Sequence, residues 1–164
     1  MSVLCRALVL GDNVSTDLIH PPDSFSRNLD RLASGFLRGA APQWSDLDFR
    51  GAVILAGENF GCGSSREVAA SVFIQRGVRL VLARSFARIF YRNLVNLGMP
   101  IGLLESEPPW PAGSLLQIEL DEQRCSLRGE GRQLEYRLPA PFLQRIVKAG
   151  GLLSLLGSRE ADRA

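Results

Sequence analysis

Gly51-Ala52-Val53-Ile54-Leu55-Ala56, then Gly57-Glu58-Asn59-Phe60-Gly61-Cys62-Gly63-Ser64-Ser65-Arg66-Glu67, and further on Val78-Arg79-Leu80-Val81-Leu82-Ala83, form the stretch whose reading decides the fold. Residues 52–56 and 78–83 are near-continuous apolar runs, the pattern of strands covered on both faces. Between them the spacing predicts a helix over Ser65–Gln75, closed by Gly77. Strand, helix and strand within about 30 residues make a βαβ crossover joining parallel strands.

Upstream of this unit, Val3–Leu10 is a β-prone run that stops at the turn-forming Gly11-Asp12-Asn13. Ser15 to Asn28 reads as a long loop containing Pro21-Pro22, and Leu29–Leu37 as a short helix before Gly39. A long irregular loop in a compact domain is more often functional than structural. Downstream, Ser85 can cap a helix over Phe86–Leu97, which ends at Gly98 with Pro100 just beyond. Strands are expected near Ile101–Leu104, Leu115–Leu120, Arg124–Leu127 and Gln133–Tyr136, then a helix over Pro141–Ala149 and a turn near Leu152–Leu156. The expectation is a single α/β domain, residues 1–164, with a mixed sheet.

Composition bounds the function. The chain has 164 residues, 46% of them hydrophobic and 22% charged, with a formal net charge of +2. That is the range of ordinary globular domains, and 16 Gly and 9 Pro lack the period of a collagen or the density of a disordered chain. No apolar run approaches the roughly 18–20 residues that span a bilayer, and no leader pattern opens the chain, so neither a membrane partner nor export is expected, and a cytoplasmic location is. The cations are almost all arginine, Lys148 being the only lysine, and they form no basic stripe with interleaved aromatics, which argues against a nucleic-acid partner. Cys5, Cys62 and Cys125 stand far apart, a pattern that suits reduced thiols rather than a disulfide framework or a metal site.

The chemistry concentrates in Gly61–Glu67. On the helix predicted there, Ser64, Ser65 and Arg66 fall at the first turn, where free N–H groups and the helix dipole favour an anion. An arginine at that end opposes the dipole unless an anion or carboxylate sits opposite, and its planar fork matches a carboxylate bidentately. The plainer alternative has Ser64 capping the helix and Arg66 pairing with a surface acid. Phosphate-loop patterns fail, because a dinucleotide fingerprint needs glycine where Arg66 stands and no Gly-Lys followed by Ser or Thr occurs. A Ser-His-Asp triad is unsupported: the only histidine, His20, reads as a solvated loop residue, and there is no GxSxG elbow. Cys62 reads as a small residue in a tight turn, although a helix N-terminus there could lower its pKa.

Three long motifs, Gly11-Asp12-Asn13-Val14-Ser15-Thr16-Asp17, Gly57–Glu67 and Ala83-Arg84-Ser85-Phe86-Ala87-Arg88-Ile89-Phe90-Tyr91-Arg92-Asn93, together with the tail Lys148-Ala149-Gly150-Gly151-Leu152, resemble in order the small-subunit family of 3-isopropylmalate dehydratase. The resemblance covers essentially the whole chain. It implies the swivelling β/β/α domain of the aconitase superfamily, a hydro-lyase acting on a 2-hydroxy di- or tricarboxylic acid, and a separate large subunit that carries a 4Fe-4S cluster, with no cofactor on this chain. By motif it makes Ser64 the catalytic base and Ser65 and Arg66 carboxylate ligands.

Two departures stand out. The family motif continues His-Ala-Pro where this chain has Val68-Ala69-Ala70, and the Arg-Tyr-Leu type segment after Thr-Asp is replaced by Asp23-Ser24-Phe25-Ser26-Arg27-Asn28. If this loop faces the variable group of the substrate, Phe25 suits an alkylmalate and Arg27 an extra carboxylate. Homoaconitate and citramalate types therefore stay open beside isopropylmalate, as does a non-catalytic assembly partner with the same fold.

Overall fold

A computed structural model describes residues 2–64 and 66–161. Seven strands are present: β1 (Ser2–Val9), β2 (Val53–Ala56), β3 (Leu80–Ala83), β4 (Ile101–Leu104), β5 (Leu115–Asp121), β6 (Ser126–Gly129) and β7 (Arg132–Arg137). They close into a barrel in the order β1-β2-β3-β4-β7-β6-β5. β1 through β4 run parallel, and β5, β6 and β7 join them by antiparallel pairs. The mixed sheet and the crossover agree with the sequence. Closure is the new element, made by β1 against β5 from Ser2 opposite Asp121 to Leu8 opposite Leu115.

Side-chain alternation across this barrel produces two cores. Ala7, Val9, Val53, Leu55, Leu80 and Leu82 point inward with Leu116, Ile118, Leu120, Leu127 and Leu134. Leu8, Ile54, Ala56, Val81 and Ala83 point outward into a larger core beneath the helices. The parallel strands are thus buried on both faces, which is why they read as unbroken apolar runs. β5 buries alternate residues only, as expected of a strand with one wet face.

Among the described residues the helices are α1 (Thr16–Ile19), α2 (Leu29–Ser34), α3 (Val68–Gln75), α4 (Arg88–Asn96), α5 (Pro141–Lys148) and α6 (Leu152–Ala161). Phe36, Phe60, Phe73 and Phe90 meet edge-to-face beneath them, with ring centroids 4.8–6.1 Å apart, a geometry favoured by the aromatic quadrupole. Gly98 ends α4 at φ +83°, and a Cβ there would lie 2.8 Å from the Gly151 nitrogen, so the α4 terminus docks directly on the Gly150-Gly151 tail motif.

Several expectations are corrected. Helix α3 begins at Val68, with Glu67 at its N-cap position and no side-chain cap; Gly63 at φ +92° and a hydrogen bond from Arg66 N to Ser64 O turn the preceding chain away from helix. Ser64 therefore caps nothing, and Arg66 precedes the first turn. Ser85 does not cap α4; its Oγ accepts the Asn59 N–H at 2.8 Å, a tertiary bond that local spacing cannot reveal. His20 is 2% exposed, its Nε2 2.9 Å from the Leu32 carbonyl, so it is a core residue pinning α2. The 15–28 loop contains α1, capped by Ser15, whose Oγ accepts from Leu18 N, and a 3-10 turn at Pro22–Ser24. The expected turn at 152–156 is the start of α6.

Candidate functional site

Three loops at the C-terminal rim of the parallel strands build the site. Residues 10–15 follow β1, 57–67 follow β2 and 84–87 follow β3. Short parallel bridges, Ser15 with Cys62 and Phe60 with Phe86, continue the sheet beyond its strands. Gly61 N donates to Val14 O, Thr16 N to Cys62 O and Ala87 N to Phe60 O, each at 2.8 Å. Asp12 Oδ1 accepts from Glu58 N at 2.7 Å, and Asn59 Nδ2 donates to Asn13 Oδ1 at 3.0 Å. Asn13, Asn59, Gly61 and Gly63 all have positive φ, which Asn and Gly tolerate best and which gives these turns their shape. The result is a rigid scaffold made of backbone, the usual way a catalytic loop is held still.

Ser64 sits at its mouth, exposed, with Oγ 3.3 Å from Thr16 Oγ1. Arg66 Nε donates to Ser64 Oγ at 3.1 Å, and the Thr16 hydroxyl also donates to the Ser64 carbonyl at 3.0 Å. Thr16 is buried, so it acts as a fixed post for Ser64. The other end of Arg66 forms an ion pair with Asp17. A guanidinium N–H directed at a serine oxygen favours negative charge on that oxygen.

Two cavities meet at Arg66. One, of about 250 Å³, is lined by Thr16, Gly63, Ser64 and Arg66 from the loops and by Arg88, Phe90 and Asn93 of α4. The second, of about 190 Å³, is lined by His20, Phe25, Arg66, Glu67, Val68 and Ala69.

Of the residues singled out from sequence, Ser64, Arg66 and Phe25 come together here. Ser65 lies outside the described residues. Arg27 is exposed, makes no ion pair among the described residues and lines neither cavity. Thr16, Asp17, Arg88 and Asn93 were not singled out, although all four stand inside quoted motifs. For Arg88 the signal was available: an arginine in the first turn of α4 opposes the helix dipole. Among the described residues no three His, Cys, Asp or Glu side chains converge to hold a metal ion, and no helix is long and apolar enough to cross a membrane.

Comparison with known proteins agrees with this geometry. The Aconitase C-terminal domain family matches residues 35–105. The chain is 39% identical to 3-isopropylmalate dehydratase small subunit 1 of Methanopyrus kandleri over 161 residues, covering 97% of this chain and 94% of that protein. It is 36% identical to the methanogen homoaconitase small subunit of Methanocaldococcus jannaschii, covering 98% and 94%. The crystal structure of a 3-isopropylmalate dehydratase from Methanocaldococcus jannaschii superposes with a TM-score of 0.88 at 32% identity, covering 99% of this chain and 98% of that one. With three motif-bearing loops gathered at one rim of a barrel that this relative shares along its whole length, the chain belongs to the 3-isopropylmalate dehydratase small-subunit family of the aconitase superfamily, a family of hydro-lyase subunits.

Proposed function

We propose that the whole chain, residues 1–164, works as one domain that completes the active site of a heteromeric hydro-lyase, moving the hydroxyl of a 2-hydroxy dicarboxylic acid of the 3-isopropylmalate type by dehydration and rehydration. The observation that carries this reading is Arg66 Nε donating to Ser64 Oγ at the mouth of the Thr16–Asn93 cavity. In this reading Ser64 is the base: its oxygen, held by Thr16 and made more acidic by the guanidinium beside it, removes the proton from the carbon next to a carboxylate during dehydration and, during rehydration, delivers a proton to the neighbouring carbon that had carried the hydroxyl. Arg66, with Ser65 carried by motif, holds that carboxylate. A 4Fe-4S cluster carried by the partner large subunit would supply the Lewis acidity for loss of the hydroxyl. Reaction of both partners in the cytoplasm fits the reduced thiols.

Phe25 and Val68 line the second cavity beside Arg66, which favours an apolar branch on the substrate, whereas Arg27 points no charge into it. The small-subunit names of the relatives support a large-subunit partner, and the homoaconitase relative supports a second reading with a homoaconitate-type substrate. The test is the holoenzyme assayed by absorbance of the unsaturated acid across a panel of 2-hydroxy acids. Ser64→Ala abolishes turnover while leaving assembly intact, since Ser64 is exposed; near-normal activity removes it from the base role. Arg66→Lys also fails, because a point charge cannot reproduce the fork. Arg27→Ala leaves the preference order unchanged, and a switch of preference in that variant would reinstate the tricarboxylate reading.

A further inference from the structure

The Ser64 cavity has an uneven charge. Arg66 pairs with Asp17, and among the described residues no Asp or Glu lines the cavity itself. Arg88, which lines the same cavity from α4, is exposed and has no ion-pair partner among the described residues. It sits in the first turn of α4, where no acidic residue offsets it and the helix dipole opposes a cation. The helix that carries it is fixed by Phe90, which is 2% exposed and meets Phe60 and Phe73 edge-to-face. The Asn93 amide lines the same cavity. The cavity, about 250 Å³, therefore holds the Ser64 hydroxyl, the Arg66 fork that shares its charge with Asp17, and Arg88 as a second guanidinium without a counter-charge. A 2-hydroxy dicarboxylate carries two negative charges on carbons flanking the reacting centre, and Arg66 accounts for only one of them.

We propose that Arg88 binds the second carboxylate of the substrate, with Asn93 beside it, so that α4 and the Ser64 loop clamp the dianion between them. This rests on the dicarboxylate reading above. A clamp of this kind fixes which carbon faces Ser64, because exchanging the two carboxylates would place the acidic C–H away from the base.

The experiment uses the assembled two-subunit enzyme and compares competitive inhibition by a succinate-type dicarboxylate with that by a monocarboxylate of matched length. Arg88→Gln raises the Ki of the dicarboxylate about 10–100-fold, the range of a lost charge-assisted hydrogen bond, and leaves the monocarboxylate Ki within about twofold. Arg88→Lys recovers part of the loss. A variant that weakens both inhibitors equally, or neither, overturns the assignment. Arg88 is exposed, so folding is unaffected, and thermal melting of the variant checks this. Failure of the parent reading looks different: wild-type enzyme that turns over no 2-hydroxy diacid overturns both, whereas wild-type turnover with an unmoved dicarboxylate Ki overturns only the role of Arg88.

Discussion

Gly61→Ala should be among the most damaging single-methyl changes in the molecule, and the structure separates its two causes. Gly61 has φ +78°, a conformation that costs an L-residue about 1–2 kcal/mol. Its missing Cβ would also fall within the van der Waals envelope of Phe90 Cγ and Cδ1. Phe90 is 2% exposed and braced by Phe60 and Phe73, so the ring cannot swing away without repacking, which adds about 1–3 kcal/mol. The total is about 2–5 kcal/mol. Gly113 supplies the control, since it has φ +87° but nothing within 4 Å of its ideal Cβ. Gly113→Ala should lose only the conformational part, about 1–2 kcal/mol. Urea unfolding of the three proteins, followed by circular dichroism, gives both values. Equal destabilisation of the two variants, within about 0.5 kcal/mol, would refute the steric argument. Because Phe90 also lines the Ser64 cavity, the Gly61 variant should lose activity beyond its loss of stability, and the Gly113 variant should not.

Phe73→Ala empties the meeting point of three aromatic rings and should cost about 3–5 kcal/mol by the same unfolding assay; a loss below about 2 kcal/mol would mean the site collapses around the void. The Arg50 guanidinium, hydrogen-bonded to Asp48, holds that carboxyl down at about 2 from an ordinary 3.8. A depressed folded value stabilises the fold above the unfolded value, and that contribution fades as pH falls from about 4 to about 2. Carboxyl NMR should therefore find a low midpoint at Asp48 that rises in Arg50→Gln but stays below the ordinary value, because the Arg50 backbone N–H still donates to the carboxylate, and an unchanged midpoint would dismiss the side-chain pair. Burial pushes the Cys5 thiol up, more than Arg79 nearby lowers it, so Cys5 should react more slowly with a disulfide reagent than the part-exposed Cys62. Equal rates, measured by mass spectrometry after alkylation, would contradict that.

How much of this was legible beforehand depends on where the physics is local. β2 and β3 announced themselves because both their faces are buried, and that leaves an unbroken apolar run in the sequence. Barrel closure left no such mark: β5 reads as an ordinary half-exposed strand, and nothing in its residues names β1 as its neighbour. Helix starts were misplaced where a side chain serves a distant group, as Ser85 does for Asn59. His20 was misread because a lone histidine beside two prolines looks solvated, while its partner, the Leu32 carbonyl, becomes visible only once α2 folds over it. In the candidate site, residue type and spacing draw attention to Ser64 and Arg66, and the structure places them side by side, while the roles proposed for them come from the family resemblance. Thr16 and Asp17 carry no local signal, because they reach Ser64 and Arg66 from α1 and only the folded chain brings that helix against the loop after β2.

The pairing that closes the barrel has a consequence during synthesis. β1 leaves the ribosome first, yet its antiparallel neighbour β5 is encoded most of a chain length later. At roughly 5–20 residues per second the wait is on the order of ten seconds. During that wait β2, β3 and β4 follow one by one, so the growing parallel sheet keeps one edge open along β1 until β5 arrives and the other along its newest strand until β7 pairs with β4. Such edges recruit foreign strands, a hazard that belongs to synthesis and refolding and that the closed barrel removes.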